Sequence, residues 1–416
     1  MAFTGSALQR ETLTMVLAGG QGQRLEPLTS MRTKPSVPFG GKYRIIDFAL
    51  SNCLNSGFRK IYVLTQYKSD SLNQHIYEAW NIFNPELGEF IYSIPPQQKT
   101  GDEWYQGTAD AIYQNLNLIK PQRYSWVVIL SGDHIYKMDY LKMLQYHIEK
   151  KADLSIGNII VEKEKAKRFG IIEIDEDYNV LSFIEKPEDP PEIPGKEGFS
   201  FANMGIYIFN VDALREALKI LTEKKIPNLD FGKHVIPYMV DKHHKVRAFR
   251  FEDEDREDTP PYWVDVGTID SYYTASMDLI KVNPEFNLYD AAWPLRTKQH
   301  QYPPAKTLSH EGERVGRAVS SLITDGTIIS GGLVERSILG PNVRVNSYSY
   351  ITDSIIMDHC NIGRYAKIRR AIIDKNVHIP EYEEIGFDTE IDKKRFKVTE
   401  TGIVVIPKSY KFEKKK

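Results

Sequence analysis

A glycine-rich run, Gly19-Gly20-Gln21-Gly22-Gln23-Arg24, directly follows the apolar segment Leu13–Leu17. Glycines in that place let backbone N–H groups come close to phosphate oxygens. Arg24, Arg32 and Lys34 follow within fourteen residues of Gly20, and Pro27, Pro35 and Pro38 stiffen the segment that carries them. Glycine turns with cations this closely set suit a triphosphate better than a single phosphate. Two named phosphate motifs fail. GxGxxG lacks a further glycine after Gly22, and Gly41-Lys42 is followed by Tyr43 where a P-loop needs Ser or Thr. Neither a dinucleotide oxidoreductase nor a P-loop ATPase is supported. Asp133 closes Ser131-Gly132-Asp133 behind the apolar Trp126–Leu130, and Asp265 stands far along the chain in a similar setting, Val264-Asp265-Val266-Gly267. Mg2+ takes oxygen ligands, usually one or two carboxylates with substrate phosphates, and two such residues converging would serve it. Strand-end aspartates also cap helices, so on the residues alone both readings stand. Lys186, after Glu185 in Phe-Ile-Glu-Lys-Pro, is by itself as readily a solvated lysine as an anion ligand.

For these groups to meet, the elements between them must build one sheet edge. From Leu13 to about Tyr273, strand-like runs (13–17, 61–65, 126–130, 153–160, 170–174, 180–184, 204–209) alternate with helix-period segments (44–56, 69–80 capped by Ser69, 108–119, 139–150, 213–221, 231–240). That alternation predicts an α/β fold, a doubly wound, mostly parallel sheet with its ligand site beyond the carboxyl ends of the strands. Residues 293–312, with Pro294, Pro303 and Pro304, read as a linker. Beyond it a repeat of seventeen residues appears in aliphatic trios: Leu322, Ile328, Val334, then Leu339, Val345, Ile351, then Ile356, Ile362, Ile368, then Ile373, Ile379, Ile385. A spacing of six excludes a helix and predicts a parallel β-helix whose stacked coils share one core.

The rest of the composition narrows the class. The 416 residues suit two domains, and 41% hydrophobic with 26% charged residues excludes wholesale disorder. A net charge of −2 gives no global attraction to nucleic acid or to a membrane surface. No apolar run reaches the ~18–20 residues of a membrane span. Cys53 and Cys360 offer neither a disulfide framework nor a CxxC metal site and read as buried, reduced thiols of a cytoplasmic protein. Residues 1–11 read as a tail without a signal pattern, Glu252–Asp258 as a solvated loop, His243-His244 as a surface pair and Tyr410–Lys416 as a frayed basic end.

The run AGGQGQRLEPLTSMRTKPSVPFGGKYRIIDFALSNCLNSG resembles the signature of the sugar nucleotidyltransferases, and within them the bacterial ADP-glucose pyrophosphorylases. The likeness continues through WYQGTADA at 104–111, SGDHIYKMDY at 131–140, FIEKP at 183–187, NMGIYIF at 203–209, DFGK at 230–233 and YWVDVGT at 262–268, and extends over the β-helix. It implies a Rossmann-like nucleotidyltransferase domain over 12–292 and a left-handed parallel β-helix over 313–416, assembled as a homotetramer. It implies ATP and glucose 1-phosphate as substrates and Mg2+ on Asp133 and Asp265. Arg24 and Lys34 would neutralise the leaving pyrophosphate. The nucleotide would meet Leu17, Ala18, Gly19, Gly20, Gln98, Tyr105 and Gly107, with the Gln98 amide pairing adenine. Glucose 1-phosphate would meet Glu185, Lys186, Asn203, Tyr207, Asp230 and Trp263. Arg32, Arg44, Arg364, Arg369 and Arg370 would share one cleft for a small phosphorylated or keto-acid effector. The chain departs from the pattern at Asn203, where Ser is common, at Val264 for Arg, at Met31 for Lys and at Pro38 for His. Asp133, Lys186 and Asp265 are intact, which argues against a regulatory subunit without activity. The alternatives are a sugar nucleotidyltransferase that uses another nucleotide and a non-catalytic regulatory subunit.

Overall fold

The computed structural model describes residues 5–20, 22–96, 104–252, 261–309 and 314–413. In the first domain nine strands form one sheet: β1 (Thr12–Ala18), β2 (Lys60–Thr65), β3 (Phe90–Ile94), β4 (Trp126–Ser131), β5 (Leu154–Glu162), β6 (Gly170–Ile174), β7 (Val180–Glu185), β8 (Phe199–Asn210) and β9 (Val246–Arg250). The order is β7-β6-β8-β4-β1-β2-β3, with β5 also on β8 and β9 on β5. Pairing is parallel for β1/β2, β1/β4, β2/β3 and β5/β9 and antiparallel wherever β8 or β7 takes part. The parallel character is therefore concentrated around β1, and the sheet as a whole is mixed. β1 is buried along almost its whole length, since helices cover both faces.

Those helices are α1 (Gly5–Arg10), α2 (Ile45–Asn55), α3 (Asp70–Trp80), α4 (Thr108–Tyr113), α5 (Tyr140–Glu149), α6 (Val211–Glu223), α7 (Ile236–Asp241) and α8 (Ile269–Asp278). Several depart from the periodicity reading. α1 lies inside the expected tail; its Leu8 is buried and Gln9 Nε2 donates to the Ser56 carbonyl at 2.9 Å. Ser69 precedes α3 without a side-chain cap bond. The segment 108–119 breaks after Tyr113 into a 3-10 turn, and 231–240 opens with a π turn over Phe231–Val235.

The expected linker is strapped to the first domain. Trp293 Nε1 donates to Asn52 Oδ1 at 2.8 Å, the Arg296 N–H to Ser51 Oγ at 2.9 Å and Lys298 Nζ to Glu78 at 2.7 Å. Its last part, Lys306–Leu308, is already a strand of the β-helix, paired with Ile328–Ser330.

The second domain is a three-sided parallel β-helix of short strands. Nine of the twelve predicted positions, Leu339 through Ile385, and also Val334 lie in its core. Leu322 and Ile328 were each placed one residue early. Ile323 pairs with Leu339 and Ile329 with Val345, so these point inward. A one-residue slip in a strand exchanges faces, and the first coil is one residue shorter than the others. Corners fall at residues with φ between 40° and 63°: Arg336, Asp353 and Arg370; Asn342, His359 and Asn376; Tyr348, Tyr365 and Tyr382. The three tyrosines stack with ring centroids 4.9 Å apart. The expected frayed end is packed in its first part, where Tyr410 and Phe412 lie on Phe396.

The outward side chains of one face, Ile338, Ile355, Ile372 and Val405, share an apolar core with Leu25, Leu28, Phe39, Phe48 and Tyr272 of the first domain. The two domains are thus welded along the segment that joins the glycine-rich turn to α2.

Candidate active site

Register brings the chemistry together. Leu17 of β1 lies opposite Ser131 of β4, so Gly19-Gly20 and Asp133 leave the sheet at the same edge. The ribbon strand Trp263–Asp265 pairs antiparallel with His134–Tyr136, which sets Asp265 opposite His134 and beside Asp133. A cavity of about 620 Å3 opens there, lined by Leu17, Ala18, Gly19, Gly20, Arg24, Lys34, Tyr105, Gly107, Asp133 and Asp265 among others. These are the expected nucleotide, cation and carboxylate residues, save Gln98, which lies outside the described residues. Gly107 has φ 140°, and a Cβ there would stand 2.3 Å from the Leu229 carbonyl. A Cβ at Gly267 would come within 3.0 Å of both Asp265 and Arg24, so a side chain there would crowd that carboxylate and guanidinium.

Lys34 Nζ donates to Asp133 Oδ2 at 2.9 Å and to Asp265 Oδ1 at 2.6 Å. Arg24 Nη2 is 3.9 Å from Asp265 Oδ2 and largely exposed to the cavity. Burial would raise the Asp133 pKa, but the Lys34 ammonium, His134 and the Ser131 hydroxyl hold it well below the usual carboxylate range. Burial pushes the His134 imidazole down. The ligand atoms of Asp133, His134 and Asp265 lie within 4.8 Å of one another. Hard carboxylate oxygens at the wall of this cavity fit a divalent cation.

The expected sugar-phosphate residues gather next to this cavity. Asn203 Nδ2 donates to the Tyr207 hydroxyl at 2.7 Å, at a bulge between β8 and β5. Asp230 accepts from Thr108 Oγ1 at 2.7 Å, which ties it to the cavity lining. Burial, with Asp230 and Glu185 close by, raises the Tyr207 phenol far above its ordinary pKa. Lys186 is 62% exposed, 3.3 Å from Glu185, at φ 49°. Trp263 is buried, with His134 at 4.8 Å and Phe169 at 5.5 Å between ring centroids. It stands as a wall behind the carboxylates, and its indole Nε1 has no hydrogen-bond partner among the described residues.

The five arginines are spread over three corners of the β-helix. Arg32 is buried and ion-paired to Asp374 on the β-helix. Arg44 donates to the Ser36 carbonyl at 2.6 Å and lies near Asp358 and Arg32. Both stand at the corner that holds Asp374 and Lys375. Arg369 instead donates to the Gly386 carbonyl over Phe387, and Arg370 to the Thr401 carbonyl over Tyr273, at another corner. Arg364 is on the turn between the strands Asn361–Ile362 and Lys367–Arg369, at the third. In a three-sided coil successive turns point apart, so spacing along the chain was a poor guide to proximity. Lys375, which the sequence reading passed over, faces Asp358 at 2.5 Å near Arg44, and burial pushes its amine down to about 8. Gln66, Thr108, Ser131, His134 and Gly267 were also missed as site residues. Thr108, Ser131, His134 and Gly267 sat inside quoted motifs; Gln66, whose Nε2 donates to the Tyr105 carbonyl at 3.1 Å, carried no local signal.

A phosphate-binding turn and a carboxylate pair at the carboxyl edge of an α/β sheet, followed by a β-helix, define a nucleotide-handling α/β protein with a hexapeptide-type domain. Comparison agrees: residues 13–282 match the family described as Nucleotidyl transferase, and 303–406 match GlmU-like, C-terminal hexapeptide, a left-handed β-helix. The chain belongs to the nucleotidyl transferases, in the glucose-1-phosphate adenylyltransferase family. Glucose-1-phosphate adenylyltransferase 2 of Vibrio cholerae is 50% identical over 404 residues, covering 97% of this chain and 99% of its own length. The glucose-1-phosphate adenylyltransferases of Methylococcus capsulatus and Trichlorobacter lovleyi are each 50% identical, covering 96% and 98% of this chain and 94% and 99% of their own lengths.

Proposed function

We propose that this chain transfers the adenylyl group of ATP to glucose 1-phosphate, releasing pyrophosphate and forming ADP-glucose, the glucosyl donor for glycogen synthesis. The observation that carries the reading is the meeting of Arg24, Lys34, Asp133 and Asp265 in the cavity of the glycine-rich turn, in a chain half identical to enzymes of that name. A phosphate oxygen of glucose 1-phosphate attacks the α-phosphorus in line, the bond to the bridging oxygen breaks, and pyrophosphate leaves with the electron pair. The nucleophile is already ionised at pH 7, so no general base is required. What remains for the protein is positioning and charge neutralisation. Lys186 holds the sugar phosphate, Arg24 and Lys34 face the leaving pyrophosphate, and the backbone of 19–20 receives phosphate oxygens. Asp133 and Asp265 would hold Mg2+, which supplies charge neutralisation at the triphosphate.

The wider reading is a cytoplasmic homotetramer, supported by two buried free thiols and by exposed apolar residues such as Leu308 and Val319 on the first coil of the β-helix. Regulation by a small anion rests on Arg44 and Lys375, which face each other across the domain boundary. The test is pyrophosphate release by the lone chain with four nucleoside triphosphates and a panel of sugar phosphates. ATP with glucose 1-phosphate should be the preferred pair; preference for another nucleotide, or no release, would refute the assignment.

A further inference from the structure

All four oxygens of the two site carboxylates already have neighbours. Lys34 Nζ takes Asp133 Oδ2 and Asp265 Oδ1, Ser131 Oγ donates to Asp133 Oδ1, and Arg24 faces Asp265 Oδ2. Two negative charges meet two positive ones, so the group is neutral as it stands. The Lys34 side chain is only 7% exposed, whereas the carboxylates are 30% and 28% exposed and line the cavity. Lys34 lines the same cavity, its ammonium lodged between the two carboxylates where a bound triphosphate would meet it. A divalent ion binds carboxylate oxygen at about 2.0–2.1 Å when it is Mg2+, and an ammonium hydrogen-bonded to the same oxygens opposes it by charge and by occupancy.

We propose that Lys34 is the resting counter-ion of the metal seat, bridging Asp133 and Asp265 until a metal–nucleotide complex displaces it. The triphosphate that comes with the ion gives Lys34 a new anionic partner, so one residue serves the empty site and the loaded one. Metal alone gains no such exchange. Its binding to the free chain is therefore weak, and metal and nucleotide strengthen each other by the same factor. This inference rests on the metal-dependent reading above and adds an order to it: the carboxylates are unmasked by the substrate.

The experiment is Mn2+ binding to the free chain, read from the electron paramagnetic resonance signal of unbound ion, without nucleotide. Lys34→Met should bind Mn2+ at least about tenfold more tightly than wild type, the scale on which a neighbouring cation competes for a carboxylate. Lys34→Arg, which keeps the charge, should show no such gain. Adding Asp133→Asn to Lys34→Met should abolish the gain. If Lys34→Met does not fold, as judged by circular dichroism, Lys34→Gln takes its place, since its amide still donates between the carboxylates. Unchanged or weaker Mn2+ binding on removal of the charge overturns the proposal, as does a gain that survives Asp133→Asn. Pyrophosphate release by wild type is measured alongside. Its absence would sink the functional reading while leaving the binding result to be judged alone.

Discussion

Asp374→Ala tests whether the β-helix is part of the catalytic machinery. Asp374 is 1% exposed and ion-paired to Arg32, itself 4% exposed. The same guanidinium also donates from Nε to the Leu28 carbonyl at 2.9 Å. Removing the carboxylate leaves a buried, uncompensated charge, which costs about 3–5 kcal/mol. With about 2–4 °C per kcal/mol for domains of roughly this size, the first-domain transition should fall by roughly 6–20 °C. The perturbation also reaches the site. Arg32 stands two residues before Lys34, and Lys397 Nζ of the β-helix holds the Glu26 carbonyl at 2.7 Å, so the segment between Arg24 and Lys34 is anchored at both ends. The turnover number should therefore fall with stability, even at temperatures where the variant is fully folded. All five tryptophans lie at or before residue 293, so tryptophan fluorescence follows the first domain while far-ultraviolet circular dichroism follows both. Replacing both partners, Arg32→Met with Asp374→Leu, should be less destabilising than Asp374→Ala alone, because no charge is left buried. A melting temperature within 2 °C of wild type together with an unchanged turnover number would refute the reasoning.

Asp133→Asn keeps the volume but loses the charge that holds Lys34 and a cation; kcat should drop on the order of 10²–10⁴-fold with the melting curve retained. Lys186→Ala, at an exposed side chain, should raise KM for glucose 1-phosphate while the ATP KM barely moves, and the reverse pattern would assign the lysine to the other substrate. His147 is buried between Ser155 Oγ at 2.9 Å and Asn210 Oδ1 at 3.3 Å, and burial pushes its imidazole down to about 4. Its folded pKa lies below the unfolded value, so the unfolded chain takes up the proton first. Stability is full above about pH 6.5 and declines by about 3 kcal/mol as pH falls to 4. His147→Gln should flatten that part of a denaturation-versus-pH curve, and an unchanged slope would show that another group carries it.

Two kinds of information were legible before any coordinates. Local periodicity placed seven of the nine sheet strands of the first domain, though not Phe90–Ile94 or Val246–Arg250, and ten of the twelve aliphatic positions of the β-helix, because a coil that repeats must repeat its inward residues. A second aliphatic residue beside many of them, as in Ile338-Leu339, Ile355-Ile356 and Ile372-Ile373, also announced a face buried on both sides, although it was not read that way. The misplacement of Leu322 and Ile328 came from assuming an even repeat where the first coil is short. The helix end at 113 and the π turn over Phe231–Val235 were not foreseen because tertiary contacts, not propensity, set them.

The sequence by itself determined which residue types could meet a triphosphate: the turn at 19–22, the cations behind it, and the two strand-end carboxylates that motif order ties to nucleotidyl transfer. Those are properties of short segments, and short segments carry them wherever the chain goes. Only the tertiary structure decided who touches whom. It put Lys34 between Asp133 and Asp265, buried Trp263 behind the carboxylates, sealed Arg32 against Asp374, and set Arg369 and Arg370 at a different corner of the β-helix from Arg44. These outcomes depend on strand register, on the direction of each turn and on the packing of one domain against the other, and residues hundreds of positions apart have no local pattern from which such contacts can be read.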